Sequence, residues 1–64
     1  MPQTKTLQQR ELELRSLLGD PAGRKKLQEL ESTYYAESGK MKPAKTSVIT
    51  YILVHERERG LISG

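Results

Sequence analysis

Leucines recur at helical spacing in the first third of the chain and predict an amphipathic helix over residues 5–18. Thr6 followed by Gln9 fits a capping box, in which each side chain accepts a hydrogen bond from the backbone N–H of the other residue. Gly19 supplies a C-terminal stop, whereas Leu12 falls outside the apolar stripe. The stripe consists of Leu7, Leu14, Leu17 and Leu18.

A second helix is predicted over residues 21–38, directly after the first. Asp20 is a typical N-cap residue, and Pro21 suits the first helical position because the N–H that proline lacks would be unpaired there. Gly39 can adopt the left-handed conformation that ends a helix. Because the link to the first helix is short, the two helices are predicted to be antiparallel neighbours. The apolar stripe of this helix consists of Leu27, Leu30 and Tyr34, with Tyr35 on its flank.

The third segment, residues 47–59, is predicted to be a helix, although its composition also suits a strand. Val, Ile, Thr and Tyr favour strands, and residues 48–54 are almost continuously apolar. The helical spacing of the apolar residues, an N-cap at Ser47 or Thr46 and a glycine stop at Gly60 favour the helix. A strand would also lack a partner in the rest of the chain.

These elements predict an all-α fold: one small three-helix domain over residues 1–64, with residues 1–4 and 63–64 disordered. A domain this small buries only about 60% of the surface that its unfolded chain exposes, so its stability is expected to be marginal. The predicted core consists of Leu7, Leu14, Leu17, Leu18, Leu27, Leu30, Tyr34, Val48, Ile49, Ile52, Leu53 and Leu61.

The third segment also carries a recognisable pattern. Ile52 and Leu53 stand at core positions, Glu56 and Arg57 precede the turn, and the run Gly60-Leu61-Ile62 follows it. Residues 46–63 thereby resemble the recognition-helix region of helix-turn-helix and winged-helix regulators. The resemblance implies a helix that contacts DNA.

Two features depart from that family pattern. The connector before the third helix, residues 39–45, is longer than the three or four residues of a helix-turn-helix and contains Pro43. A β-hairpin that would form a wing after the third helix is also not expected. The docking geometry of the family is therefore not carried over.

The composition excludes several functional classes. The chain has no cysteine, so disulfides, thiolate metal sites and cysteine nucleophiles are absent. His55 is the only histidine and Asp20 the only aspartate, and Asp20 already serves as a cap. We therefore expect no catalytic residues, no metal site, no cofactor and no small-molecule substrate. No apolar run approaches the roughly 18 residues of a membrane helix, and no secretory signal or lipidation motif is evident, so a cytoplasmic protein without membrane contact is expected.

The net charge of +3 is concentrated in residues 39–46, which hold three lysines and no acid. Lysines beside the N-terminus of the third helix form a candidate phosphate clamp, and the outer face of that helix carries hydroxyls and an arginine that suit phosphates or base edges. A solvated surface is the alternative interpretation. The candidate nucleic-acid-binding residues are Lys40, Lys42, Lys45, Ser47, Thr50, Tyr51 and Arg57.

A second cationic group, formed by Arg24, Lys25 and Lys26, occupies the first turn of the second helix, where the helix dipole favours acids. One interpretation is an anion-binding site at the helix N-terminus. The favoured interpretation is ion pairing, in which Glu56 or Glu58 from the end of the third helix neutralises the group.

Two aromatic positions are interpreted as packing residues. His55 is predicted at the edge of the apolar face of the third helix, with a pH-sensing or ligand role as the alternative. Tyr34 is predicted in the core and Tyr35 at its border.

Two functional hypotheses remain. The favoured one is a protein-interaction or self-associating adaptor, with another protein or a second copy of the chain as partner. Its basis is that Leu12, Val54 and the tail Leu61-Ile62 would extend an apolar surface beyond a small core. The alternative is a nucleic-acid-binding module that uses the lysine-rich connector and the outer face of the third helix.

Overall fold

The computed structural model describes residues 4–63, which form three α-helices, one 3₁₀ turn and a short parallel sheet. This architecture confirms the predicted all-α, three-helix fold. The helices are α1 (Leu7–Ser16), α2 (Pro21–Ser38) and α3 (Val48–Glu58), and the 3₁₀ turn is Leu17–Gly19. The strands are β1 (Lys5–Thr6) and β2 (Ile62–Ser63).

The predicted N-caps are confirmed for all three helices. Thr6 and Gln9 form the capping box at α1, with two hydrogen bonds of 3.1 Å. Asp20 caps α2 by accepting a hydrogen bond from the N–H of Ala22 at 3.1 Å. Ser47 caps α3, which confirms the helical interpretation of the segment that was also compatible with a strand.

Two glycines with positive φ end the second and third helices. Gly39 has a φ of 71°, and its N–H donates to the carbonyl of Tyr35 at 2.7 Å. Gly60 has a φ of 74°, and the following N–H of Leu61 donates to the carbonyl of Glu56 at 2.9 Å. These bonds satisfy carbonyl groups that a helix end leaves unpaired, and the left-handed conformation favours glycine at both positions.

A parallel pairing of β1 with β2, which the sequence did not predict, joins the two ends of the described chain. Lys5 pairs with Ile62, and the next residue of each strand follows in register. After the turn at Gly60 the chain runs beside β1 and buries Ile62, while Leu61 is exposed. The prediction of Leu61 as a core residue, through the apolar contact that accompanies a glycine C-cap, is therefore wrong, because the residue that the chain buries after the turn is Ile62.

Disorder was predicted for residues 1–4 and 63–64. Of these, residues 1–3 and 64 lie outside the described residues. Thr4 directly precedes β1. Ser63 pairs with Thr6 in the sheet.

The core lies where α2 and the N-terminal elements pack against α3. It contains every predicted residue except Leu18 and Leu61. Among residues 4–63, the buried apolar side chains are Leu14, Leu27, Tyr34, Tyr51, Ile52, Leu53 and Ile62. The partly buried side chains packed against them are Leu7, Leu17, Leu30, Val48 and Ile49.

Leu18 is exposed, contrary to the prediction. A spacing of 100° per residue would place it beside Leu14 and Leu17. The helix instead changes to a 3₁₀ turn at Leu17, and each residue of such a turn advances by about 120°. The added rotation carries Leu18 away from the core.

Gly23 allows α2 to pack closely against the 3₁₀ turn. A Cβ atom at this position would lie 2.2 Å from the carbonyl oxygen of Leu17, and the contacting atoms belong to the backbone. We expect Gly23→Ala to destabilise the protein by about 1–3 kcal/mol, because the contact can be relieved only by moving backbone. Chemical denaturation with far-UV circular dichroism would measure the change in the free energy of unfolding.

Gly19→Ala is the matched control for that substitution. A Cβ at Gly19 would meet nothing within 4 Å, and the φ of this residue is not positive. Alanine there should leave the free energy of unfolding unchanged or raise it by roughly 0.4–1 kcal/mol. Equal effects of the two substitutions would contradict the close approach at Gly23.

Candidate interaction surface and the buried ion-pair cluster

Glu56 is buried at the centre of a polar cluster that joins the three helices. The Nε and Nη2 atoms of Arg10 donate to the two carboxylate oxygens of Glu56 at 2.9 and 3.0 Å. The hydroxyl of Tyr34 donates to Oε2 of Glu56 at 2.6 Å. Because Glu56 is only 3% exposed, these bonds replace the water that a carboxylate would otherwise bind.

The charges of the cluster support one another. The hydrogen bond to Glu56 raises the pKa of the Arg10 guanidinium, which stays charged. Hydrogen bonds from Lys5 and then from Arg10 lower the pKa of the Glu13 carboxyl. Burial and then the hydrogen bond to Glu56 raise the pKa of Tyr34 to about 12.

The raised pKa of Tyr34 predicts a loss of stability at alkaline pH. In the unfolded chain tyrosine ionises near pH 10, below its pKa of about 12 in the folded protein. The neutral hydroxyl therefore stabilises the fold fully below about pH 10, and this contribution is lost as the pH rises from about 10 to 12. Thermal unfolding over this range should show a falling midpoint.

Tyr34→Phe should reduce the part of that fall that comes from this hydroxyl, and it should remove the tyrosinate absorbance step near pH 12. Tyr35→Phe is the control, because Tyr35 is exposed and lies at the next position of the same helix. Alkaline profiles that respond equally to both substitutions would contradict the assignment.

His55 is a buried packing residue, as predicted. Its ring stacks on Tyr34 with a centroid distance of 4.2 Å and an interplanar angle of 17°. Its Nε2 atom lies 3.8 Å from Oε2 of Glu37, which is too far for a hydrogen bond, and Glu37 also pairs with Arg59. His55 thus extends the cluster towards the C-terminal ends of α2 and α3.

The cluster was missed in the sequence, although a signal for it exists. Glu56 follows Ile52 by four residues and Ile49 by seven, so it continues the apolar stripe of α3. A charged residue at a core position needs a buried partner, and an arginine on another helix is a suitable one. The periodicity of α3 alone could not indicate which of the arginines is the partner.

The anion-binding candidates Arg24, Lys25 and Lys26 are all exposed on the first turn of α2. Arg24 donates to the carbonyl of Leu18 at 3.0 Å. The expected neutralisation by Glu56 or Glu58 is wrong, because Glu56 is occupied by Arg10 and Glu58 forms no ion pair with these cations. Within residues 4–63 none of the three cations forms an ion pair.

The lysines among the nucleic-acid-binding candidates lie in different environments. Lys40 and Lys45 are exposed on the connector between α2 and α3. Lys42 instead donates its Nζ to the carbonyl of Thr46 at 2.7 Å, so its ammonium group holds the connector in shape.

The candidates on α3 are also divided. Tyr51, expected on the outer face, is buried because the connector folds over it. Its hydroxyl donates a hydrogen bond to the carbonyl oxygen of Lys40, with 2.6 Å between the two oxygens. Ser47 and Thr50 are exposed but bond each other, with 2.9 Å between their hydroxyl oxygens. Arg57 is exposed near the end of the helix. The candidate face therefore presents fewer free polar groups than the sequence indicated.

A second surface feature is apolar. Met41 is 74% exposed, Tyr35 is 46% exposed and Val54 is 48% exposed. Met41 lines two adjacent surface grooves, one shared with Tyr35 and the other, of about 490 Å³, shared with Val54. We name the surface formed by these three residues the Met41 surface. Its sequence signal was weak because Met41 stands between two lysines of a segment interpreted as basic.

The connector that carries Met41 is held by several hydrogen bonds. Tyr51 and Lys42 each bond a connector carbonyl, as described above, and the N–H of Thr46 donates to the carbonyl of Pro43 at 3.0 Å. The Met41 surface is therefore presented in a defined shape.

The residues between Thr4 and Ser63 include no group of three or more side chains suited to holding a metal ion. In the same part of the chain, no helix combines the length and the apolar composition needed to cross a bilayer.

Comparisons with known proteins returned no relatives. No protein-family model, curated protein or solved structure matches the chain.

Proposed function

We propose that the protein is a non-enzymatic protein-binding module that docks its partner on the Met41 surface. The observation that carries the proposal is that Met41, the most exposed large apolar residue described, lines both grooves of this surface. Scattered exposed apolar residues are ordinary on proteins, whereas adjacent ones with a polar rim mark interaction sites.

The residue types support protein binding. Methionine has a flexible, polarisable side chain that adapts to apolar partners, and tyrosine is enriched at interfaces. The hydrogen-bonded connector also reduces the entropy lost on binding, because the loop is ordered before the partner arrives.

Nucleic-acid binding has less support. Its exposed candidate cations are Lys40, Lys45 and Arg57. Lys40 shares its groove with an acid, Glu58, and another acid, Glu31, lines the adjacent groove. Phosphate backbones require a more uniformly positive surface.

Small organic molecules provide a direct test of the docking surface. We expect isopropanol and phenol, titrated into the labelled protein, to shift the NMR signals of Tyr35, Met41 and Val54 before others. Leu12 is the control, since it is 69% exposed but lines none of the described grooves. Met41→Lys should abolish the selective shifts. Shifts spread evenly over exposed apolar residues would contradict the proposal.

A titration with duplex DNA at two salt concentrations tests the alternative. Binding that weakens steeply with salt would favour the nucleic-acid function. We expect no such binding at physiological salt.

A further inference from the structure

We infer that the partner of the Met41 surface is a second copy of this chain, in a two-fold dimer where Glu31 of each copy faces Lys40 of the other. The inference rests on the proposed function, because it names the occupant of the same surface.

Met41 divides its surface into two sides. On the α2 side, Tyr35 and Glu31 line a groove with Met41. On the α3 side, Val54 and Lys40 line the other groove with it. Each side thus combines one exposed apolar residue with charged groups at its rim.

The rim charges have both signs on each side. Glu31 and Lys42 lie on the α2 side, whereas Lys40 and Glu58 lie on the α3 side. The ammonium group of Lys42 keeps its charge but donates to the carbonyls of Pro43 and Thr46, whereas the carboxylate of Glu31 is not held in this way. Neither Glu31 nor Lys40 has an ion-pair partner among residues 4–63.

The α3 side holds one ion pair and one further acid, Glu58, at its rim. Arg59 pairs with Glu37 at the edge of this groove, so the two contribute no net charge. A rim with both signs can meet its own copy without net repulsion, whereas a rim of a single sign would repel it.

A two-fold axis that lies in the interface and passes through Met41, between the two sides, uses this arrangement twice. It places the α2 side of one copy over the α3 side of the other, so Glu31 faces Lys40 and Tyr35 faces Val54 in both halves. The two Met41 side chains meet at the axis. Such an interface is isologous and closes at the dimer.

Sedimentation equilibrium on the full chain, from about 10 μM to 1 mM, tests the inference over the range expected for a small interface. We expect concentration-dependent dimerisation of the unmodified protein. Glu31→Lys and Lys40→Glu should each weaken it by about tenfold or more, since each substitution acts twice and places like charges together. The double variant, with the charges exchanged, should restore dimerisation to within about threefold.

Two control variants carry the same charge changes outside the two grooves. Glu29→Lys and Lys45→Glu affect exposed residues on α2 and the connector. They should change dimerisation by less than about threefold. Thermal unfolding of every variant verifies that it is folded, and Met41→Lys provides an independent variant that should be monomeric.

The outcomes separate this inference from the proposed function. A strict monomer at about 1 mM overturns the inference, and selective probe shifts at the Met41 surface would then leave the docking function standing with a different partner. Dimerisation that is insensitive to Met41→Lys, or that the exchanged charges do not restore, also overturns it. Absence of selective probe shifts contradicts the docking function itself.

Discussion

Replacing Ile52 by alanine is expected to unfold a large fraction of the protein at 25 °C. Ile52 is completely buried at the centre of α3. Removing its outer side-chain atoms costs about 2–5 kcal/mol, because apolar contacts are lost and a cavity remains. A chain of 64 residues has a total stability of roughly 3–10 kcal/mol, so one such substitution removes a large part of it.

Urea denaturation with circular dichroism would measure this loss. Ile52→Val removes a single methylene and should cost only about 0.5–1.5 kcal/mol. Val54→Ala is the control on the exposed face of the same helix and should change the free energy of unfolding by less than about 0.5 kcal/mol. An unchanged denaturation midpoint in Ile52→Ala would contradict the described core.

Glu56→Gln is the second substitution with a large expected effect. It removes the negative charge that Arg10 and Tyr34 share in the interior. Loss of one partner from a buried ion pair costs about 3–5 kcal/mol, because the remaining charge is buried without compensation. The cost should lie near 3 kcal/mol, because the side chain of Arg10 is 24% exposed and keeps Glu13 at 3.2 Å.

Glu58→Gln is the matched control, because it makes the same chemical change at an exposed position of α3. It should alter the free energy of unfolding by less than about 0.5 kcal/mol. A double-mutant cycle with Arg10→Met would measure the coupling directly, since Arg10→Met should cost much less in the Glu56→Gln background. Additive effects would show that the two side chains do not interact.

The same cluster explains why α3 accepts a glutamate on its apolar stripe. Arg10 comes from α1 and Tyr34 from α2, so Glu56 connects all three helices through directed bonds. Apolar packing tolerates small rotations of a helix, whereas these hydrogen bonds require a defined orientation. The cluster therefore orients α3 and, with it, the side of the Met41 surface that carries Val54.

The helices could be predicted because their signals are local. Thr6, Asp20 and Ser47 accept hydrogen bonds from N–H groups two or three residues ahead, and Gly39 ends α2 through its own backbone conformation. Most of the core followed from helical periodicity for the same reason.

The errors arose where the chain leaves the α-helical period or where distant segments meet. Leu18 points outward because the helix changes to a 3₁₀ turn. After the glycine turn at Gly60, the buried residue is Ile62 and Leu61 is exposed. Tyr51 was assigned to the outer face of α3, which is correct for an isolated helix. The connector then covers it, and no local pattern indicates that contact.

The candidate sites show the same division. Lys40, Lys45 and Arg57 are exposed as expected, whereas Lys42 bonds carbonyls of its own connector. The apolar grooves beside Met41 involve α2, the connector and α3 together. A sequence segment read by itself could therefore indicate the charge of this region but not the surface on which a partner would dock.

The sequence by itself determined three capped helices and the apolar faces that pack them, because capping and periodicity act within a few residues along the chain. Only the tertiary structure decided that Arg10, Tyr34 and Glu56 share one buried site, and that Tyr35, Met41 and Val54 share one exposed surface. The physical reason is range. Hydrogen bonds and contacts between side chains act over a few ångströms, and the folded backbone alone brings residues from three different elements within that distance.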